Sequence, residues 1–260
     1  MESTSARRAR SASLTADAGT PTPRGLTENI NSDSITRVEK NAPVYLGLGA
    51  GPGLGLAAAR RFARENYIAV LGARNADRVA QLATILTDEG HRAEGLAVDL
   101  VNPADTERVV ADVAERYGRI DVLHFNPSAW REKDPLQLSA AELLEDLTLG
   151  VAALLPAVQA AQPVLHPGAR VLVTGSAAAD KPWFRAASLG VQKAGLRNLT
   201  RSLDAALAPF GVRAVCIQIN GILADEGQFS PPPIADAMWQ AVIRADDEWT
   251  TDVAYPAASG

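Results

Sequence analysis

The stretch LGLGAGPGLGLAAARRFA (46–63) joins an apolar run to an amphipathic run through a glycine-rich turn with the spacing GxxxGxG. Glycine permits positive φ and lets the backbone approach a phosphate, and the free amides at a helix start attract negative charge. A turn of this kind can also simply connect a strand to a helix, but the flanking runs favour a dinucleotide site. The residues predicted to contact the pyrophosphate are Gly49, Gly51, Gly53, Leu54 and Gly55.

From residue 43 onward, short apolar runs alternate with longer amphipathic stretches. The predicted strands lie at 44–49, 67–73, 93–98, 121–125, 169–175 and 212–219, and the predicted helices at 54–65, 76–89, 104–117, 140–165 and 188–209. This alternation is typical of βαβ units and a parallel sheet. We therefore predict one α/β domain over residues 41–260, a doubly wound parallel sheet of the Rossmann type with helices on both faces. In such a sheet, ligands bind beyond the carboxyl ends of the strands.

The two ends of the chain differ from this pattern. Residues 1–40 are rich in Ser, Thr, Ala, Arg and Pro and predict a disordered extension, with a transit peptide or a misplaced start codon as open alternatives. The last part predicts a loop, a helix beginning near Ile234 and a short strand around 251–255. We expect this part to fold over the substrate end of the sheet.

The composition limits the classes of partner. Lys and Arg total 25 against 30 Asp and Glu, and the net charge of −5 disfavours binding to a nucleic acid. The single cysteine, Cys216, allows no internal disulfide and suits a reducing compartment. No apolar stretch approaches the roughly 20 residues that cross a bilayer, and no pair of histidines has metal-ligand spacing. The sequence thus predicts a soluble cytoplasmic protein that acts on a small molecule, without a metal or a membrane partner.

The residue after the second strand indicates which nicotinamide cofactor the site prefers. The stretch LGARNADR (71–78) places Arg74 where an acid would hydrogen-bond the adenosine ribose and repel a 2′-phosphate. The cation favours NADP(H) over NAD(H). An exposed arginine flanking a helix is the alternative, and Pro52 supplies no second cation in the glycine turn.

Over residues 43–255 the chain resembles the short-chain dehydrogenase/reductase family. Besides the glycine turn, the stretch LAVDLVNP (96–103) matches the family's adenine-contacting acid, FNPSAW (125–130) keeps the first residue of its Asn-Asn-Ala-Gly motif, and INGILADE (219–226) keeps the glycine of its Pro-Gly motif. The resemblance implies a nicotinamide cofactor and an oxidoreductase. The further cofactor-binding residues that it implies are Asp99, Leu100, Asn126, Lys193 and Gly221.

The same resemblance implies a catalytic set that this chain retains only in part. Ser176 matches the serine that polarises the substrate oxygen, and Lys193 matches the lysine that holds the nicotinamide ribose and tunes a tyrosine. Leu189 stands in the position of that tyrosine, which is the proton donor. The asparagine of the preceding helix corresponds to Gly150, or to a neighbour if the match shifts by one residue. The predicted catalytic residues are therefore Ser176 and Lys193.

The loop AADKPWFRAAS (178–188) lies where family members shape the substrate pocket. Trp183 and Phe184 offer flat apolar surfaces, and Trp130 is a candidate for the opposite wall. A solvated loop explains the charges of Asp180 and its neighbours almost as well. Among the tyrosines, only Tyr255 belongs to a segment expected to visit the site, and a packing contact at the end of the sheet is its simpler interpretation.

Three functions fit these residues. The leading hypothesis is an atypical NADP(H)-dependent oxidoreductase acting on a carbonyl, an imine or an activated alkene without the tyrosine donor. The alternatives are a non-redox cyclase, dehydratase or isomerase on the same scaffold, and a catalytically silent NADP(H)-binding regulatory protein. The resemblance also implies a homodimer or homotetramer paired through helices 140–165 and 188–209, the first kinked at Pro156.

Overall fold

The structure, a computed structural model, describes residues 42–257; the predicted disordered extension, 1–40, lies outside the described residues. Seven strands form one sheet in the order β3-β2-β1-β4-β5-β6-β7, and every neighbouring pair is parallel. The strands are β1 (Val44–Leu48), β2 (Ile68–Ala73), β3 (Ala93–Ala97), β4 (Val122–Phe125), β5 (Arg170–Ser176), β6 (Arg213–Ile219) and β7 (Asp252–Tyr255). The doubly wound α/β fold predicted from the alternation is confirmed.

Seven α-helices cross over between the described strands or flank them. They are α1 (Leu54–Ala63), α2 (Ala76–Asp88), α3 (Pro103–Tyr117), α4 (Ala140–Leu147), α5 (Leu154–Ala161), α6 (Ala187–Leu207) and α7 (Pro231–Val242). Alternate residues of a strand point to opposite faces, so Val44, Leu46 and Leu48 pack on one side of the sheet while Tyr45 packs on the other. Both faces are therefore covered, as the near-continuous apolar strands require.

The helix predicted over 140–165 is interrupted. It begins with a capping box in which Ser139 and Glu142 bind each other's backbone amides. A π-helical turn, Thr148–Ala152, then separates α4 from α5. Pro156 follows within one turn, and its missing N–H cannot bond the carbonyl of residue 152. The helix type therefore changes just before the proline, and the kink at Pro156 stays a prediction.

This same run is the one helical segment within 42–257 that is long and apolar enough to cross a membrane. Ala140–Val164 passes that test by length and composition alone, with a mean hydropathy of 1.4. The expectation that no apolar stretch approaches this length is therefore wrong. Leu154, Ala157 and Ala161 lie in the core against the sheet, and a core helix of a globular domain passes the same test.

The carboxyl-terminal part does not fold over the substrate end as expected. Its helix begins at Pro231 rather than Ile234, because proline is favoured in the first turn, where its N–H is not needed. The helix α7 packs beside α1, with Trp239 meeting the Phe62 ring edge-on at 5.3 Å and Asp236 paired with Arg61 at 2.8 Å. The predicted final strand is present as β7 at the edge of the sheet.

Asp204 connects α6, the helix that carries Lys193, to β6 and to the start of β7 through hydrogen bonds. Its carboxylate accepts hydrogen bonds from the Arg213 side chain at 2.8 and 2.9 Å, from the Ala214 amide at 2.8 Å and from the Thr251 hydroxyl at 3.0 Å. Burial raises the pKa of Asp204, but these hydrogen bonds outweigh it and hold the pKa below its ordinary value. The carboxylate therefore stabilises the fold above the ordinary aspartate pKa, and that stability is lost as the pH falls through the folded-state value.

We expect Asp204→Asn to lower the free energy of unfolding at pH 7 by about 1–3 kcal/mol, because an amide cannot satisfy the same buried donors. The difference from the unaltered protein should shrink below about pH 4, where the carboxylate protonates. Urea unfolding at both pH values measures it. The control is Asp236→Asn, whose exposed ion pair should contribute less than about 1 kcal/mol. A loss of equal size at both pH values would contradict this role.

Candidate functional site

The glycine turn after β1 is shaped by two close contacts. Gly49 has a φ of 79°, and a Cβ there would lie 2.7 Å from the Pro127 nitrogen. A Cβ at Gly55 would lie 3.0 Å from the Ala50 Cα. Nothing lies within 4 Å of where a Cβ of Gly51 or Gly53 would be. The turn is thus closely packed underneath and open above, which suits a phosphate.

The helix after the turn begins without a side-chain cap. Gly53 is its N-cap, no side chain bonds that end, and the first turn holds no acidic residue. Its amides and the positive end of its dipole are therefore suited to bind an anion. The Leu54 side chain is buried, so the predicted contact of this residue can involve only its backbone.

Arg74 directly follows β2 at the same edge of the sheet and is exposed. Within 42–257 no ion pair engages it, whereas the next residue, Asn75, caps α2 by accepting the Arg78 amide at 2.8 Å. The side chain at position 74 is thus available to a ligand that lies across the ends of β1 and β2.

Asp99 and Leu100 follow β3 and have different surroundings. The Asp99 carboxylate accepts the Val101 amide at 3.3 Å, and its own amide donates to the Asp105 carboxylate at 2.7 Å. Leu100 is buried in the core, so only its backbone could meet a cofactor. Asp99 is half-buried and keeps part of its carboxylate for an outside partner.

A buried chain of hydrogen bonds, not foreseen from the sequence, leads to the glycine turn. The Tyr45 hydroxyl lies 2.5 Å from Nδ1 of His124, whose Nε2 lies 2.9 Å from Oγ1 of Thr174. The Thr174 hydroxyl donates to the Asn126 side-chain oxygen at 2.8 Å, and the Asn126 side-chain Nδ2 donates to the Gly49 carbonyl at 3.0 Å. The predicted cofactor residue Asn126 is therefore held from below by three strands.

The protonation states of His124 and Tyr45 determine which group donates in each of these hydrogen bonds. Burial and the nearby Lys193 ammonium lower the pKa of His124 to about 3, and burial raises the pKa of Tyr45 well above its ordinary value. His124 is therefore neutral and Tyr45 keeps its proton. The consistent assignment has Tyr45 donating to Nδ1 and Nε2–H donating to Thr174.

Lys193 reaches the end of β5 from α6. Its ammonium donates to the Thr174 carbonyl at 2.9 Å, and only 4% of the residue is exposed. Burial lowers the pKa of Lys193 to about 8. The lysine thus contacts β5 at Thr174, two residues before Ser176, and its role toward a cofactor stays a prediction.

Ser176 and Leu189 occupy the other two predicted positions. Ser176 ends β5, is half-buried, and accepts the Ala178 amide at 3.2 Å. Leu189 lies on α6 one turn before Lys193 and is half-buried. Tyr255, the tyrosine considered as a replacement donor, bonds the Gln228 carbonyl at 2.5 Å and packs edge-on against Phe229. Its contact is therefore a packing contact at the end of the sheet.

Two glycines occupy the remaining family positions, Gly150 in place of an asparagine and Gly221 as the retained glycine of the Pro-Gly motif. Gly150 is buried in the π-helical turn, and a Cβ there would lie 2.2 Å from Oε1 of Gln192. Gly221 follows β6 in an exposed loop, where a Cβ would lie 2.3 Å from the Phe229 ring. Phe229 therefore covers one side of this glycine.

Two tryptophans meet at the carboxyl edge of the sheet. The rings of Trp130 and Trp183 lie 5.9 Å apart at 34°, and 63% and 44% of the two residues are exposed. Their loops are joined by the Ala187 amide, which donates to the Lys133 carbonyl at 3.2 Å. Phe184, next to Trp183, is also exposed. Trp130 and Trp183, which the sequence predicts as opposite walls of the substrate pocket, are thus in contact with each other.

Other chemical features lie apart from this edge or are inert. A cavity of about 560 Å³, lined by residues 115–119 and His166, opens at the amino ends of the strands. In the described part of the chain no group of three or more His, Cys, Asp and Glu is placed to hold a metal. Burial raises the pKa of the Cys216 thiol to about 12, so it is no nucleophile.

Comparison with known proteins identifies the family. The model of the short chain dehydrogenase family matches residues 44–230. A protein of Streptomyces violaceoruber, named as ketoacyl reductase 1 of the granaticin polyketide synthase, is 32% identical over 185 residues. The human dehydrogenase/reductase SDR family member 4 is 30% identical over 194 residues.

These matches cover 67% and 72% of this chain and 66% and 68% of the two relatives, so the chain spans about two thirds of their length. A solved metagenomic short-chain oxidoreductase in complex with NADP superposes with a TM-score of 0.73 at 23% identity, covering 82% of this chain and 96% of that one. That likeness shows the fold. By the matched family model and its sequence relatives, the chain belongs to the short chain dehydrogenase family.

Proposed function

We propose that this protein is an NADP(H)-dependent oxidoreductase that acts on a small organic molecule without a tyrosine proton donor. The observation that carries the proposal is the buried Lys193 ammonium, held at the carbonyl of Thr174. The Thr174 side chain connects through Asn126 to the glycine turn. Burying an ammonium costs free energy unless polar groups bind it well. A lysine with only a packing role would therefore be more stable at the surface, which favours a functional role for Lys193.

The residues present fit a nicotinamide dinucleotide. The open backbone at Gly51 and Gly53 and the uncapped start of α1 would hold the pyrophosphate. Arg74 would bind the 2′-phosphate, and Lys193 would bind the nicotinamide ribose hydroxyls. When bound, the cofactor supplies or accepts a hydride; the chain supplies position and charge.

Leu189 restricts which substrates can react. A positioned general acid contributes about 10²–10⁴-fold to a rate, and leucine cannot donate a proton. Hydride transfer to a cationic iminium needs no such donor because it produces a neutral amine rather than an alkoxide. Ser176 would orient the substrate through its hydroxyl, and an activated alkene or a carbonyl would depend on a proton from water.

The exposed tryptophan pair supports a substrate with a flat apolar part. Aromatic rings offer large rigid contact area, and both rings project from loops that follow β4 and β5. One relative is named as a ketoacyl reductase, which is consistent with reduction of a carbonyl or a related group.

Two other functions keep the same cofactor site. The loss of both the tyrosine and the asparagine at positions 189 and 150 favours either a non-redox cyclase, dehydratase or isomerase, or a silent protein that senses NADP(H). Product formation at an undiminished rate without nicotinamide would favour the first. Cofactor affinity without any turnover would favour the second.

We also propose a cytoplasmic homodimer or homotetramer paired through α4–α5 and α6. Exposed apolar side chains on these helices support it, namely Leu144, Leu155 and Val191. Burial of such side chains between subunits would remove them from water.

The central test is cofactor binding and oxidation. We expect the purified protein to bind NADPH more tightly than NADH and to oxidise it with at least one member of a panel of imines, enones and ketones. Arg74→Ala should weaken NADPH binding about 10-fold and leave NADH binding unchanged, because only NADPH carries the 2′-phosphate. Titration of protein fluorescence measures both. The control is Arg64→Ala, which lies at the end of α1 away from the glycine turn and should leave NADPH binding unchanged. Absence of NADPH binding by the unaltered protein would refute the proposal.

Lys193 should give NADPH binding a dependence on pH. Since burial lowers the pKa of Lys193 to about 8, the ammonium is present below that pH and lost above it. We expect affinity to fall as the pH rises from 7 to 10, and Lys193→Met to bind about 10-fold more weakly at pH 7 with a flat profile. Lys181→Met, in the exposed loop, should retain the slope. An affinity that increases above pH 8 would contradict this assignment.

Leu189→Tyr tests whether the missing donor limits ketone reduction. We expect kcat/KM for a reactive aromatic ketone to increase by about 10–100-fold, since a phenol can protonate the forming alkoxide. Leu189→Phe adds the ring without the hydroxyl and should give no increase. Equal values for both variants, with NADPH binding intact, would show that the divergence extends beyond this position.

A further inference from the structure

Gln192 is a fully buried residue that neither the cofactor nor the proton-transfer motifs assign. Its exposed fraction is 0%, and it immediately precedes Lys193 on α6. The Ala129 amide donates to its Oε1 at 3.1 Å, and its Nε2 donates to the Ala129 carbonyl at 3.2 Å. One side chain therefore satisfies both backbone polar groups of one loop residue.

The space for this carboxamide exists because residue 150 is glycine. A Cβ at Gly150 would lie 2.2 Å from Oε1, 2.8 Å from Cδ and 2.9 Å from Cγ of Gln192. No side chain fits without displacing the carboxamide from Ala129. The glycine at 150 and the glutamine at 192 are thus a matched pair across the α4–α5 break and α6.

The loop that Gln192 holds, residues 126–130, contacts the candidate site at both ends. At its start, Asn126 bonds the Gly49 carbonyl and Pro127 packs on Gly49. At its end, Trp130 meets Trp183. A shift at Ala129 would therefore move both the support of the glycine turn and one aromatic wall.

We propose that Gln192 is a positioning residue that, together with Gly150, fixes the 126–130 loop relative to Lys193 and so sets cofactor affinity. The inference deepens the proposed function and rests on it. The carboxamide acts through the loop and touches no reacting atom. Its effect should appear in the affinity for cofactor more than in the stability of the fold.

The first experiment uses Gln192→Met, which keeps the length and apolar volume of the side chain but removes both hydrogen bonds. Exchange of the Ala129 amide hydrogen, followed by NMR, should become at least about 10-fold faster, because its acceptor is gone. The dissociation constant for NADPH should increase about 5–20-fold. Gln192→Glu keeps an acceptor for the amide and, in the protonated form that burial favours, a donor for the Ala129 carbonyl, so it should recover most of the amide protection.

A matched control is Gln218→Met. Gln218 is also a buried glutamine, but it lies on β6 and its Nε2 contacts the Cys216 sulfur at 3.1 Å. The same chemical change there should leave Ala129 exchange and NADPH affinity unaltered. Thermal unfolding of both variants shows whether their stabilities are comparable.

The second experiment approaches the carboxamide from the other side. Gly150→Ala should displace it and reproduce both effects of Gln192→Met. Gly150→Ala combined with Gln192→Ala should be no worse than Gln192→Ala alone, because the displaced group is already absent. Such non-additivity is the mark of two residues sharing one role.

Unchanged Ala129 exchange in Gln192→Met would overturn the proposal, and so would faster exchange accompanied by the NADPH affinity of the Gln218→Met control. If the unaltered protein binds no NADPH, the proposed function and the cofactor role of Gln192 fail together. The exchange measurement then still decides by itself whether Gln192 holds the loop.

Discussion

The contact on which this site depends is the hydrogen bond between the Lys193 ammonium and the Thr174 carbonyl. A buried ammonium is unfavourable unless a polar group receives it, and here the backbone of β5 does so at 2.9 Å. The side chain of the same Thr174 joins His124 of β4 to Asn126. One residue thus links α6, two central strands and the glycine turn, so the lysine and the turn are held in a fixed relation.

The chain keeps more of the residue types that the family uses to bind a cofactor than of those that it uses to transfer a proton. The glycine turn, Asn126, Ser176 and Lys193 keep the residue types that the family resemblance implies, and hydrogen bonds connect the Gly49 carbonyl to Asn126 and Lys193 to β5. Leu189 stands in the position of the family's tyrosine and is half-buried on α6, and its side chain cannot donate a proton. Under the proposed function, this site would favour hydride transfer that gives an uncharged product, because leucine supplies no compensating proton.

Gly150 and Gln192 are physically connected rather than independent. Glycine at 150 leaves no side chain in the break between α4 and α5, and the Gln192 carboxamide takes that space and bonds Ala129. The π-helical turn over Thr148–Ala152 accommodates the contact. Gly150, which the sequence comparison marks only as a lost asparagine, therefore leaves the space in which the Gln192 carboxamide bonds Ala129.

The sequence alone determined the succession of strands and helices along the chain, the glycine turn, and which residues stand at positions 176, 189 and 193, namely Ser176, Leu189 and Lys193. The strands, the helices and the turn follow from local periodicity and turn chemistry, which neighbouring residues specify without knowledge of the fold. The roles assigned to Ser176, Leu189 and Lys193 come from the resemblance to the family. Only the tertiary structure decided the Tyr45–His124–Thr174 chain, the packing of α7 beside α1 and the pairing of Gly150 with Gln192. Each of these contacts joins residues on different elements. The two hydrogen bonds of His124 and the Gly150–Gln192 contact join residues that are 42 or more positions apart in the sequence. Such contacts are selected by how side chains fill space between packed elements, a condition that no periodicity along the chain records.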